Sequence, residues 1–240
     1  MILLITLVSL ISLITSIPLK SFISNMRKHK NTEIRTLVMA AKIVSTAFRP
    51  MYYPVLSWLI LFTFTRMALL PLEYKLMQMS ILIAFTVALP LMLTLVYRNV
   101  RRLDALEMRK RKNRIVPYLM FIACYLIYLY VMSRYYIPYL LLSVVVVALC
   151  IQVACTLLSF FWKVSVHAAG SGAIIGGIAA CSMLFAFNPL FWLGVAFLLA
   201  GMVGTSRMIL RQHSLSQILV GILIGILCGF FGILRGFLFF

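Results

Sequence analysis

The chain has 240 residues, of which 64% are hydrophobic and only 11% charged, and its mean hydropathy is +1.11. A water-soluble domain of this size cannot turn so much apolar surface toward solvent, so soluble enzymes and soluble binding modules are excluded and a lipid environment is required. Lys and Arg number 22 against 4 Asp and Glu, a formal charge of +18. Without a long soluble basic domain, that excess points to topology and to anionic headgroups or phosphate substrates, and nucleic acid is not an expected partner.

In chain order, residues 1–19 form an apolar run about long enough to span a bilayer. No basic segment precedes it and no small-residue cleavage site follows, so a cleaved signal peptide is not expected. Residues 20–49 are basic, with Ile34, Leu37, Val38, Ala41, Val44 and Phe48 at helical spacing. That pattern predicts a helix in the membrane interface, with Arg35, Lys42 and Arg49 toward headgroups. Apolar runs then occupy 52–71, 77–97, 117–133, 137–161, 168–187, 189–205 and 214–234. The expected fold class is all-α, a polytopic transmembrane bundle of about seven spanning helices plus a candidate N-terminal one. Two parts are expected: an N-terminal apolar segment and amphipathic helix over 1–49, and a membrane core over 50–240.

Cys124, Cys150, Cys155, Cys181 and Cys228 all sit in apolar stretches without metal-ligand spacing. They are read as small buried hydrophobes, and no metal or other cofactor is expected. Gly172 and Gly176, and Gly221, Gly225 and Gly229, recur every fourth residue, a spacing that lets membrane helices pack closely. Arg66 and Arg134 near run ends are expected to snorkel, and Tyr52, Tyr53, Tyr135 and Tyr136 to anchor at the interface.

The informative polar residues fall in three clusters: 109–117, 163–170 and 204–217. Two apolar runs separate the first cluster from the second, and two separate the second from the third. An even number of crossings returns the chain to one face, so all three are expected to meet there. Together they hold Arg114, Lys163, Ser165, His167, Arg207 and His213. Guanidinium forks match phosphate oxygens, and two histidines can divide the labour of nucleophile and acid. Both histidines precede an apolar helix, whose first N–H groups can cradle an anion.

Ser165-Val-His167 and Ser206-Arg207-x5-His213 resemble the second and third signatures of the type-2 phosphatidic acid phosphatase (lipid phosphate phosphatase) superfamily, and Arg114 resembles the arginine of the first. The resemblance runs from about residue 49 to 235. It implies that His213 attacks phosphorus to form a phosphohistidine and that His167 protonates the leaving lipid oxygen. It also implies that Arg114, Ser165, Val166 (through its backbone N–H) and Arg207 hold the phosphate, without a metal. The chain departs from the family pattern at several positions. Glu107 stands where the family has a lysine, with Lys110 and Lys112 the nearby basic residues; Lys163 adds a further cation beside the second signature. Proline follows Arg114 by three residues, and Val166 replaces a glycine. Gln217 stands in for the acid one turn after the nucleophile; its carbonyl can fix a tautomer but cannot match a carboxylate against the imidazolium. Of the four acids, Glu73 lies on the opposite face by crossing count, leaving Glu33, Asp104 and Glu107 as replacements.

The expected function is hydrolysis of a lipid phosphate or pyrophosphate. The alternative is a protein of the same fold that binds or moves such lipids without hydrolysis. Either way the expected partners are membrane lipids with phosphorylated headgroups, and the expected location is a bacterial inner (plasma) membrane. Only Arg66, Lys75, Arg134 and Arg235 of the 22 basic residues fall on the face away from the motifs, which puts the motif face in the cytoplasm. The family resemblance places it on the outer face.

Overall fold

A computed structural model describes the backbone of residues 19–102, 111–135 and 137–238, with side chains over 33–63, 65, 67–102, 115–135 and 137–236. Every regular element among the described residues is helical. We number the helices α1 (Leu19–Ala47), α2 (Tyr53–Phe64), α3 (Leu72–Val100), α4 (Arg111–Met132), α5 (Tyr139–Ser159), α6 (Val166–Phe185), α7 (Leu190–Ile209) and α8 (Leu215–Leu238). Helix α3 contains one π turn at Ala84–Ala88.

Six helices, α3 to α8, hold stretches long and apolar enough to cross a bilayer. The chain is an integral membrane protein, and large side chains such as Leu198, Phe197, Leu223 and Leu76 face outward, where only lipid can cover them. The run over 52–71 does not form a single span. Helix α2 has 12 residues, about 18 Å of rise against a hydrocarbon layer of about 30 Å. It stops because Thr65 is extended, with φ −117° and ψ 177°, and the Thr65 hydroxyl accepts from the Met67 N–H to start a 3₁₀ turn at Arg66–Leu69. Trp58, fully buried, ties α2 to α5 by donating from Nε1 to the Leu141 carbonyl at 2.9 Å.

Helices α6 and α8 run parallel in backbone contact. A Cβ added at Gly172 would lie 2.2 Å from the Ile222 carbonyl oxygen, and one at Gly176 would lie 2.1 Å from that of Ile226. From the other helix, a Cβ at Gly225 would lie 2.0 Å from the Ala169 oxygen and one at Gly229 2.4 Å from that of Ala173. Such distances are impossible for real atoms, so the approach requires glycine at all four positions. The two stripes expected from sequence face each other.

The N-terminal helix departs from expectation. Helix α1 packs on α7, burying Ala41 and Ser45, while Ile34, Leu37, Met39 and Ile43 are exposed. Lys42 and Arg49 are exposed and, with Ser45, line an open cavity on this side of the bundle. Tyr53, expected as an interface anchor, is 7% exposed and donates to the His167 carbonyl at 3.2 Å. Arg134 is exposed with its guanidinium 5.3 Å from the Tyr130 ring centre; the side chain of Arg66, residues 1–18 and Tyr136 lie outside the described residues. The five cysteines are free thiols, and Cys150 is exposed on the bundle exterior, contrary to the buried expectation.

Gly225→Ala should lower stability by about 1–3 kcal/mol through overpacking, whereas Gly201→Ala, with nothing within 4 Å of its added Cβ, should be neutral or slightly stabilising. Thermal unfolding of the purified protein in detergent micelles compares the two; equal behaviour would rule out helix contact as the reason for the stripe.

Candidate functional site

Parallel packing puts the starts of α6 and α8 side by side. Ser165 is the N-cap of α6: its side chain accepts from the Ala168 N–H at 3.4 Å, and its own N–H donates to the Gln217 carbonyl at 3.3 Å. That cross-link joins the second and third sequence clusters directly. Ser165 is fully buried and is not among the residues lining the cavity described below; Val166 and His167, which supply the first N–H groups of the helix, are.

Helix α7 ends in a tight C-terminal motif. The Arg211 N–H donates to the Met208 carbonyl at 2.8 Å, and the Gln212 N–H reaches back to the Arg207 carbonyl at 3.1 Å. Arg211 takes the left-handed conformation this turn needs, with φ 50°. The turn thereby fastens the chain leading into His213 to the backbone of Arg207. The side chain of Arg207 is buried and donates from Nη1 to Ser45 Oγ of α1 at 2.7 Å, and a guanidinium at 7% exposure requires such polar company.

Just before α8, the Gln217 side chain reaches back to the Ser214 backbone, one half of a capping box. The Gln217 Oε1 accepts the Ser214 backbone N–H at 3.2 Å and also contacts His213 Nδ1 at 3.2 Å. Because the Ser214 N–H can only donate, the atom facing it is the amide oxygen, and because that oxygen can only accept, Nδ1 carries the proton. His213 is thus held with Nε2 as its basic nitrogen. Among the described residues no acid takes this place: Glu33 does not line the site, while Asp104 and Glu107 lie outside the described residues.

These parts border a cavity of about 540 Å³ lined by His167 of α6, Arg207 of α7, and Gln212 and His213 of the turn between α7 and α8. Lys42, Ser45, Thr46 and Arg49 come from α1 and its end, Tyr118, Phe121 and Tyr125 from α4, and Gln152 from α5. His167 lies within the electrostatic reach of Arg207, His213 and Arg49, and beside the Ser45 backbone. The cavity is therefore a cationic pocket holding two imidazoles, suited to an anion. Lys163 is half-buried and does not line it. Arg114 stands one turn before Tyr118 in α4, but its side chain and that of Lys112, like the whole of Lys110, lie outside the described residues.

The sequence reading missed Lys42, Ser45, Arg49 and Gln152. A serine between two basic residues on an amphipathic helix reads equally well as interface decoration, and a lone Gln in an apolar run carries no pattern. An intramembrane polar side chain is itself a signal, and Gln152 was legible on that ground. Among the described residues no group of His, Cys, Asp and Glu could hold a metal ion. No family model, characterised protein or solved structure matches the chain significantly.

Arg211→Gly should stabilise the protein by about 1 kcal/mol, since glycine adopts the left-handed turn without the Cβ penalty. Thermal unfolding in detergent measures this, and a loss of stability would mean that the Arg211 side chain contributes more than the turn costs.

Proposed function

We propose that this chain is a membrane-embedded phosphohydrolase that removes phosphate from a lipid phosphate or pyrophosphate, with His213 as the nucleophile. The observation that carries the reading is the His213–Gln217 contact, which leaves Nε2 basic in a cavity shared with His167 and Arg207. The likeness of the three sequence clusters to the lipid phosphate phosphatase superfamily supports it, and membership of that superfamily is part of the proposal.

The phosphate sits among Arg207, Arg49 and Lys42, with the Val166 N–H at the helix start; Arg114 joins them in the proposed site. The His213 Nε2 lone pair attacks phosphorus, forming a P–N bond as the P–O bond to the lipid breaks. The bond's electron pair leaves with the lipid oxygen, which takes a proton from His167. Water then attacks phosphorus, giving its proton to His167, and the P–N electron pair returns to Nε2. Catalysis here is positioning and charge neutralisation. Gln217 holds the tautomer throughout, but offers only a carbonyl dipole to the positive ring of the phosphohistidine. A pure lipid-binding role for the same fold is the second reading, favoured by that missing carboxylate.

Phosphate release from a panel of lipid phosphates by purified protein decides between them. His213→Ala should abolish release, and turnover surviving it would sink the mechanism. Gln217→Glu keeps the shape and both contacts while adding charge, and should raise the rate about tenfold, the difference between a neutral and a charge-assisted hydrogen bond. The binding reading instead expects no release by the natural protein and undiminished lipid binding by His213→Ala.

The charge distribution favours the cytoplasmic face for the site. Lys112→Cys in a cysteine-free background should then resist an impermeant maleimide in intact cells and react after permeabilisation; ready labelling in intact cells would place the site outside.

A further inference from the structure

The cationic cavity adjoins a second one. Pro50, Tyr125, Gln152 and Val166 line both, and the second chamber has a volume of about 560 Å³. One stripe of α6 forms its long wall, through Val166, Gly170, Ile174, Gly177, Cys181 and Phe185. That stripe spans about 28 Å of helix rise, close to the hydrocarbon thickness of a bilayer. Helices α2 and α5 close the other sides, with Ser57, Ile60, Val147 and Ile151 among their contributions. The far end meets the surface at Ile60, Phe187 and Trp192, all exposed. The chamber is mostly apolar and extends from beside the polar site along α6.

Gln152 stands out among the chamber's polar residues. It is 6% exposed, it borders both chambers, and its Nε2 has no hydrogen-bond partner among the described residues. A buried amide donor without a partner is costly, and its position is the junction of a polar and an apolar space. A ligand with an oxygen at that level supplies the missing acceptor.

We infer that the apolar chamber holds one hydrocarbon chain of a phosphorylated amphiphile, with the Gln152 amide donating to the oxygen that joins tail to phosphate. The inference rests on the reading of the cationic cavity as a phosphate site. At about 30 Å³ per water-sized group, close to the size of a methylene, 560 Å³ holds about 19 groups. That is room for one long chain, so single-chain alkyl or isoprenoid phosphates fit. Glycine at 177 keeps the passage open: a Cβ there would have only Ile233 Cγ1 near it, at 3.9 Å.

The test uses the full chain in detergent micelles and hexadecyl phosphate carrying a diazirine at the tail end. Crosslinks located by mass spectrometry should fall on α2 and α6 near Ile60 and Phe185. Gly177→Phe and Ser57→Phe fill the chamber from opposite walls, and each should cut this labelling at least tenfold, whereas Gly201→Ala, outside both cavities, should leave it unchanged. Labelling confined to the outer faces of α3 and α4, or undiminished in both wall variants, overturns the chain site whether or not phosphate is released. Labelling of the chamber without any phosphate release sustains the chain site and overturns the hydrolase reading alone. Wild-type protein should bind hexadecyl phosphate about tenfold more tightly than hexadecylphosphonate, which lacks the joining oxygen, and Gln152→Leu should erase the difference. Equal binding of the two by the wild type overturns the Gln152 contact.

Discussion

Everything about the site depends on how closely α6 and α8 approach. Both helices begin at the same end, and glycines at 172, 176, 225 and 229 let carbonyl oxygens of one helix occupy the space a side chain would fill on the other. In lipid there is no hydrophobic drive to bring two apolar helices together, so intimate van der Waals contact must do it. The consequence at the helix starts is chemical. His167 and His213, 46 positions apart in the chain, become neighbours, and the Ser165 N–H bonds the Gln217 carbonyl across the junction.

The polar end is built by nesting local motifs. A helix C-terminal turn at Arg211 fixes the chain after Arg207, and the Ser214 N–H fixes the Gln217 side chain, which in turn orients His213. Each motif satisfies backbone groups that a helix end leaves open, and each also sets a side chain. Structural and chemical roles coincide in the same atoms, which is why Gln217 Oε1 can hold both a main-chain N–H and an imidazole. It also limits what a substitution at these positions can report, unless it preserves shape.

Helix α1 shows how a segment that is amphipathic in sequence can serve an internal role. Its Ser45 meets the buried Arg207 guanidinium, and Lys42 and Arg49 turn toward the same cavity. The cationic field of the site is therefore assembled from two separate regions of chain, and it adjoins an apolar chamber lined by α2, α5 and α6. A charged pocket above a hydrocarbon-lined one has the polarity profile of an amphiphile.

Composition alone determined that the chain is a helical membrane protein, because so much apolar surface has no other stable environment. The parity of crossings was also legible in the residues 109–217, since apolar runs of spanning length count themselves, and it anticipated that His167, Arg207 and His213 meet. The glycine stripes were visible as stripes. Tertiary structure decided the rest. The run over 52–71 looked continuous, yet a local turn at Thr65 divides it, since hydropathy does not record where a backbone leaves the helix. That Lys42 and Arg49 line the same cavity as His167 and His213 was not legible, because amphipathicity gives the direction of a face but not what lies beside it. Ser165 and Gln217 acquired their roles only from atoms on neighbouring segments, and Gln152 gained its place at the junction of two cavities from the packing of α2, α5 and α6. A linear pattern records which residues share a helix face; only the packed bundle places the faces against one another.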